Sequence, residues 1–230
     1  MNLHPSPLFP LYASILLREN AKYNLTAITD PEEIRQKHFA DSLALLDDPS
    51  PRQRLNGEGA LPPGASLLDV GPGGGFPGVP LKIARPDISL TLLEATGKKA
   101  EFLRALAREL GLEADVVHAR AEEAAHDPAY RERFDAVTAR AVAALPLLCE
   151  LCLPFVKVGG AFVAYKGPAD KAREEIDAAR NAVKLLGADL ECVHSGTTVY
   201  GGRTRIILRK ISQTPARYPR NHGAIIKKPL

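Results

Sequence analysis

The stretch LLDVGPGGGFPGVP, residues 67–80, constrains this chain more than any other. Leu67, Leu68 and Val70 read as the end of a buried strand, and Gly71, Gly73, Gly74, Gly75 and Gly78 follow at once. In open α/β sheets ligands bind beyond the carboxyl ends of the strands. A glycine there removes the Cβ that would hold a ligand away from backbone N–H groups, and it allows positive φ in the turn. The chain must fold so that something bulky can lie against this loop.

The rest of the chain supplies the alternation such a sheet needs. SLLDV (66–70), SLTLLE (89–94), ADVVHA (114–119), FDAVTA (134–139) and GAFVAYK (160–166) read as strands, with helical spacing at 97–111, 143–156 and 168–187 between them. ADLECVH and RTRIILRK follow with only SGTTVYGG between them, which predicts an antiparallel hairpin at the sheet edge. The expected architecture is α/β, a mostly parallel seven-stranded sheet of the Rossmann-like class I methyltransferase type. Residues 7–20 and 31–47 have helical spacing, and Asp30 before Pro31, Glu32 and Glu33 marks a helix start. The expected division is a small N-terminal helical cap (1–48), a Pro- and Gly-rich linker (49–64), the sheet domain (65–210) and a basic tail (211–230) that reads as extended and loosely tied down.

Charge and cysteines narrow the function classes. The net charge is +3, but no acidic residue follows Glu191, whereas eight basic ones do, so an anionic partner at the tail is expected. Cys149, Cys152 and Cys192 are too few and too odd for a disulfide framework, and the Cys149–Cys152 pair inside LPLLCELCLP reads as core rather than metal or redox chemistry. No apolar run is long enough to span a bilayer and MNLHPSPLFP lacks a signal-peptide layout, so a soluble, cytoplasmic, metal-free monomer is expected.

Gly73, Gly75 and Gly78 satisfy G-x-G-x-x-G, a weak match shared by dinucleotide sites. A pyrophosphate needs a helix N-terminus rich in donors, whereas Phe76, Pro77 and Pro80 crowd that position. S-adenosylmethionine carries no phosphate. Asp69 and Gly71 stand where its methionine end would meet the loop. Glu94, ending the second strand, can accept both ribose hydroxyls, though an acid there also serves NAD. Ala121 and Glu122, after the third strand, could meet the adenine edge, or Glu122 could simply start a helix. His38, Asp41 and Ser42 suggest a catalytic triad, but they fall on one predicted helix, whereas triads are assembled from separate elements.

DVGPGGGFPGVPL, TLLEATGKKAEFL, HARAEE, FDAVTARAVA and YKG, with KYNLTAITDPEEIRQKHFADSL before them and RYPRNHGAIIKKPL after, resemble the bacterial 16S ribosomal RNA guanine-N7 methyltransferases, also called glucose-inhibited division protein B. The resemblance runs in order from about Asn20 onward. It implies S-adenosyl-L-methionine as cofactor, 16S rRNA of the small ribosomal subunit as partner, and methylation of N7 of the guanine at nucleotide position 527. Carried over motif by motif, it implies cofactor contacts at Gly71 and Phe76, at Glu94, Ala95 and Thr96, at Ala121 and Glu122, and at Arg140, and the loop reading adds Gly73 to them. Three departures stand out. Pro72 replaces a usual Ser or Thr, Glu19 occupies the place of a common tryptophan, and the N-terminal helical part is short.

Guanine N7 presents a lone pair at neutral pH, so no general base is expected and positioning carries the rate, an effect on the order of 7–11 kcal/mol. Arg140 and Lys166, at strand ends, are expected to orient cofactor or RNA. Arg203, Arg205, Arg217, Arg220, Lys227 and Lys228 are expected on phosphates. Because N7 lies in the deep groove of A-form RNA, the target should sit in a loop or be extruded. A nicotinamide-dependent oxidoreductase would keep Glu94 and the glycines but lacks a proton-relay set. A non-catalytic RNA-binding module would leave the glycine loop without a purpose. A small-molecule or protein acceptor fits the basic tail less well.

Overall fold

A computed structural model describes residues 6–47, 60–198 and 201–230. Seven strands form one sheet in the order β3-β2-β1-β4-β5-β7-β6. They are β1 (Ser66–Val70), β2 (Ser89–Glu94), β3 (Ala114–His118), β4 (Phe134–Arg140), β5 (Val156–Lys166), β6 (Ala188–Thr198) and β7 (Gly201–Lys210). β1 to β5 run parallel, while β7 pairs antiparallel with both β5 and β6. The strand order reverses at β1, so β1 and β4 diverge there and leave a crevice at their carboxyl ends.

β1 shows why this sheet is buried on both faces. Leu67 joins one apolar cluster and Leu68 and Val70 the other, each at most 3% exposed, as period-2 alternation requires when helices cover both sides. One face carries α4 (Gly78–Ala84) and α5 (Gly97–Leu110). The other carries α6 (Ala121–Ala124), α7 (Leu145–Cys152) and α8 (Ala169–Leu185). Cys149 and Cys152 are fully buried thiols in the second cluster, and burial pushes the Cys149 thiol up to about 12.

The N-terminal helices share the first cluster rather than forming a core of their own. α1 (Leu8–Tyr23) buries Phe9, Tyr12, Ile15 and Leu16, a 3–3–1 spacing that makes one stripe, against Phe102 and Leu106 of α5. Arg18 of α1 also donates to Glu109 at 2.7 Å. Pro31–Asp47 is one continuous helical stretch in three parts: α2 (Pro31–Ile34), a π-helical turn (Arg35–Ala40) and α3 (Asp41–Asp47). Asp30 caps it as the sequence predicts, accepting from Glu33 N at 2.9 Å. The π-helical turn, where Asp41 N reaches back to Gln36 O, has no signal in the sequence. Most of the expected linker, 49–59, lies outside the described residues, as does position 48 at the end of the expected cap.

The last twenty residues differ from expectation. They are held fast, and His222–Lys227 forms a helix, α9, capped by Asn221. Arg131 donates to the carbonyls of Thr214, Pro215 and Tyr218, and Pro219 O lies 2.9 Å from His126 Nε2. Arg220 forks onto Glu150, a carboxylate with no exposed surface, at 2.8 and 2.6 Å. The prolines that make this segment read as extended instead shape it to the surface, and its carbonyls find partners on other elements.

Candidate active site

The glycine loop serves two neighbours at once. Gly73 sits at φ +56°, and a Cβ there would meet no protein atom within 4 Å, so the space beside it is open. Gly75 faces the other way, and a Cβ on it would stand 2.4 Å from the Tyr12 hydroxyl. That hydroxyl donates to Gly74 O at 2.6 Å, tying α1 to the loop. Part of the glycine run therefore makes room for the helical cap rather than for a ligand.

Asp69, expected at the cofactor's methionine end, borders neither of the two cavities beside the loop and is 0% exposed. Its Oδ2 accepts from Gly78 N at 2.7 Å and its Oδ1 from the Thr138 hydroxyl at 2.9 Å, so it fastens the loop to β1 and β4. Burial pushes its carboxyl up to about 7, against the opposing pull of those two donors. Its work is to shape the crevice from beneath.

Two cavities open on either side of the loop, of about 480 and 460 Å³, and share Gly71, Gly73, Lys99 and Ala141 as common wall. The second holds the expected cofactor residues Glu94, Ala95, Ala121 and Glu122 at the tips of β2 and β3. Glu94 is 6% exposed and accepts from Gly73 N at 3.3 Å through Oε2 and from Thr96 N at 2.9 Å through Oε1. Each oxygen keeps a lone pair, which is what a vicinal diol needs. Thr96 thus acts through its backbone on Glu94. Glu122 is held by Arg120, Nε to Oε1 at 2.5 Å. The open cradle at Gly73, the diol-accepting acid and the apolar floor of Val70 and Leu93 fit an adenosyl amino acid.

The first cavity lies between this loop and the helical cap, bounded by His38, Asp41, Phe76, Arg140, Lys166 and Arg203. Arg140 is the hub. Its Nη1 reaches Asp41 Oδ2 at 3.1 Å and the carbonyls of Lys37 and His38 at 3.3 and 3.5 Å, and its Nη2 lies 3.1 Å from His38 Nδ1. Because guanidinium only donates, Nδ1 is the bare nitrogen and Nε2–H donates to Thr26 Oγ1 at 2.8 Å. Burial, reinforced by the Arg140 charge, lowers His38 to about 3, so the ring is neutral at physiological pH.

The Phe76 ring is stacked on His38 (4.4 Å) and Tyr12 (5.3 Å), with Arg140 above it at 4.8 Å, and is 4% exposed. It fills the seam between cap and sheet, which leaves its face no room for a stacked base. Arg140, expected at the cofactor, borders the first cavity and not the second.

The expected RNA-contacting residues separate into two groups. Lys166 is engaged by Glu175 at 2.5 Å and Ala143 O at 2.7 Å, Arg205 is 8% exposed, and Arg220 is spent on Glu150. Arg203 borders the first cavity beside Asp41 at 3.7 Å, while Arg217, Lys227 and Lys228 are exposed. Tyr12, Thr138 and the tail residues that reach the cofactor cleft went unforeseen. Tyr12 is visible in the sequence only as one member of an apolar stripe, with nothing to announce its hydroxyl's bond to Gly74.

A reversed parallel sheet, a glycine loop without a phosphate cradle and an acid set for a ribose diol define a Rossmann-like, S-adenosylmethionine-dependent methyltransferase. Solved structures share that fold: an O-methyltransferase from Bacillus cereus in complex with SAH (TM-score 0.58, 16% identity, 86% of this chain and 90% of that one) and a putative O-methyltransferase from Klebsiella pneumoniae (0.58, 15%, 91% and 92%). Residues 6–201 match the family model described as rRNA small subunit methyltransferase G. The ribosomal RNA small subunit methyltransferases G of Alkaliphilus metalliredigens and Pelotomaculum thermopropionicum are each 45% identical, over 95% and 96% of this chain and 88% and 89% of theirs. The chain belongs to the rRNA small subunit methyltransferase G family. Among the described residues no helix is long and apolar enough to cross a membrane and no cluster of side chains could hold a metal ion.

Proposed function

We propose that the protein transfers a methyl group from S-adenosylmethionine to N7 of one guanine, nucleotide position 527 of 16S rRNA, by direct in-line displacement without a general base. The carrying observation is the state of the first cavity. It adjoins the cofactor cleft through Gly71 and Gly73, and among the described residues the one carboxylate and the one imidazole that border it are both committed. Asp41 faces Arg140 and Arg203, and His38 uses both ring nitrogens. A hydroxyl or amine acceptor would need such a group to take its proton, whereas a ring nitrogen with a free lone pair does not.

When bound, S-adenosylmethionine would supply a methyl on a positively charged sulfur, where an N–CH3 bond can form as the C–S bond breaks, its electron pair going to sulfur and neutral S-adenosylhomocysteine leaving. The chain's own residues then do the positioning. Glu94 fixes the ribose, Gly73 lets the ligand approach the loop backbone, and Asp69 holds the loop in place from below. Positive charge passes to the purine during transfer, so cations beside it would oppose the reaction unless neutralised. Arg140 is paired with Asp41 and Lys166 with Glu175, which confines their charge. Arg203, Arg217, Lys227 and Lys228 are the cations placed to meet the RNA backbone.

The test is transfer of a labelled methyl to small ribosomal subunits lacking the native modification, followed by mapping of the nucleotide and a single-turnover pH profile. Label at N7 of one 16S guanine, with a rate flat between about pH 6.5 and 8.5, is expected. Label on an exocyclic amine or a ribose hydroxyl, or a rate rising tenfold per pH unit, overturns the reading.

A further inference from the structure

We infer that α9 is a wall of the cofactor cleft and that Ile226 is the apolar surface against which the adenine base packs. The inference rests on the reading of that cleft as the S-adenosylmethionine site.

Ile225 and Ile226 are neighbours with opposite environments. Both border the cleft, but Ile225 is 1% exposed and anchors α9 in the second apolar cluster, whereas Ile226 is 56% exposed. Val142, 40% exposed, borders the same cleft. Two large apolar side chains left open to one polar-rimmed cavity mark a surface that a flat, weakly hydrated ring would cover. The rim beside them is polar in the way a purine edge requires. Glu122 stands between Arg120, at 2.5 Å, and His222 of α9, whose Nδ1 is 3.5 Å away.

The attachment of α9 is too costly for a passive tail. Glu150 is carried into the protein with no exposed surface, and its only described cationic partner is Arg220, immediately before the Asn221 cap of α9. A buried charge of this kind is unfavourable without its partner. Arg131 and His126 hold the preceding six residues by their carbonyls. Together these fix where α9 stands against the rim of β3 and β4. Glu94 would then hold the ribose from the β2 side while Ile226 covers the base from α9.

The experiment is calorimetric titration of S-adenosylmethionine and of S-adenosylhomocysteine into the RNA-free protein, comparing Ile226→Asp, Ile226→Leu and Glu94→Ala with the parent. Ile226→Asp is expected to weaken both ligands by at least tenfold, since it removes an apolar contact and sets a carboxylate against the ring. Ile226→Leu should stay within twofold. The unligated melting temperature should not move, because the side chain is more than half exposed. If Ile226→Asp nevertheless destabilises the free protein, Ile226→Ala gives the same comparison with an expected loss of about fivefold. Binding by Ile226→Asp within twofold of the parent, with binding lost in Glu94→Ala, overturns the role of α9 and leaves the cleft standing. Parental binding by Glu94→Ala overturns the cleft and this inference with it.

Discussion

At the scale of single residues, Arg140 carries more of the structure than its neighbours. Five hydrogen-bonding directions in one rigid plane let it hold a carboxylate, an imidazole and two carbonyls of the π-helical turn while lying on the Phe76 ring. Arg140→Ala is expected to cost about 3 kcal/mol in urea unfolding, the low end for a buried pair losing one member, because Arg203 remains near Asp41. Arg140→Lys should recover less than half of that, since an ammonium cannot reproduce the fork. The sequence made Arg140 stand out by its place at a strand end but could not show what it faces. Its partners at 37, 38 and 41 come from a segment about a hundred residues away, and no local pattern encodes that meeting.

At the scale of elements, the cap and the loop respond to pH in opposite senses. His38 has an ordinary pKa of 6.5 when unfolded and about 3 in the fold, so its contribution is full above pH 6.5 and is lost as pH falls from there toward 3. Asp69 has an ordinary value of 3.8 and about 7 in the fold, so the charge it must carry removes stability as pH rises from about 4 to 7. Urea midpoints measured from pH 4 to 8 should show both. His38→Gln should flatten the acid side and Asp69→Asn the neutral side, and the protection factors of α1 amides, taken relative to intrinsic exchange at each pH, should fall on acidification only where His38 is present. Secondary structure was legible because it is locally encoded: β1, β2 and the helix at 97–110 lie within a residue of expectation. The short helices α4 and α6 were signalled only by their starts and α9 not at all, since four to seven residues give too few turns for a period to declare itself.

At the scale of the molecule, the basic tail divides by burial rather than by sequence. Arg220 is structural, whereas Arg217, Lys227 and Lys228 face solvent. Neutralising the exposed three together should weaken binding to small-subunit RNA and reduce the slope of log K against log salt by about 0.7–0.9 per charge. Arg220→Ala should instead lower the melting temperature by leaving Glu150 buried and alone. That Glu94, Ala95, Ala121 and Glu122 come together was readable because strand tips and glycines are contiguous motifs. The acceptor side was not, because it forms only where cap and sheet meet. That meeting depends on the π-helical turn at Arg35–Ala40, which carries one residue more than an α-helical turn would. In an α-helix each residue advances the chain by about 100°, so deleting one residue there would put everything after it out of phase by that angle. If the residue lost is Phe39 or Ala40, which lie between them, His38 or Asp41 would still face Arg140, but not both. The surplus residue works as a phase setting between the two halves of the acceptor pocket.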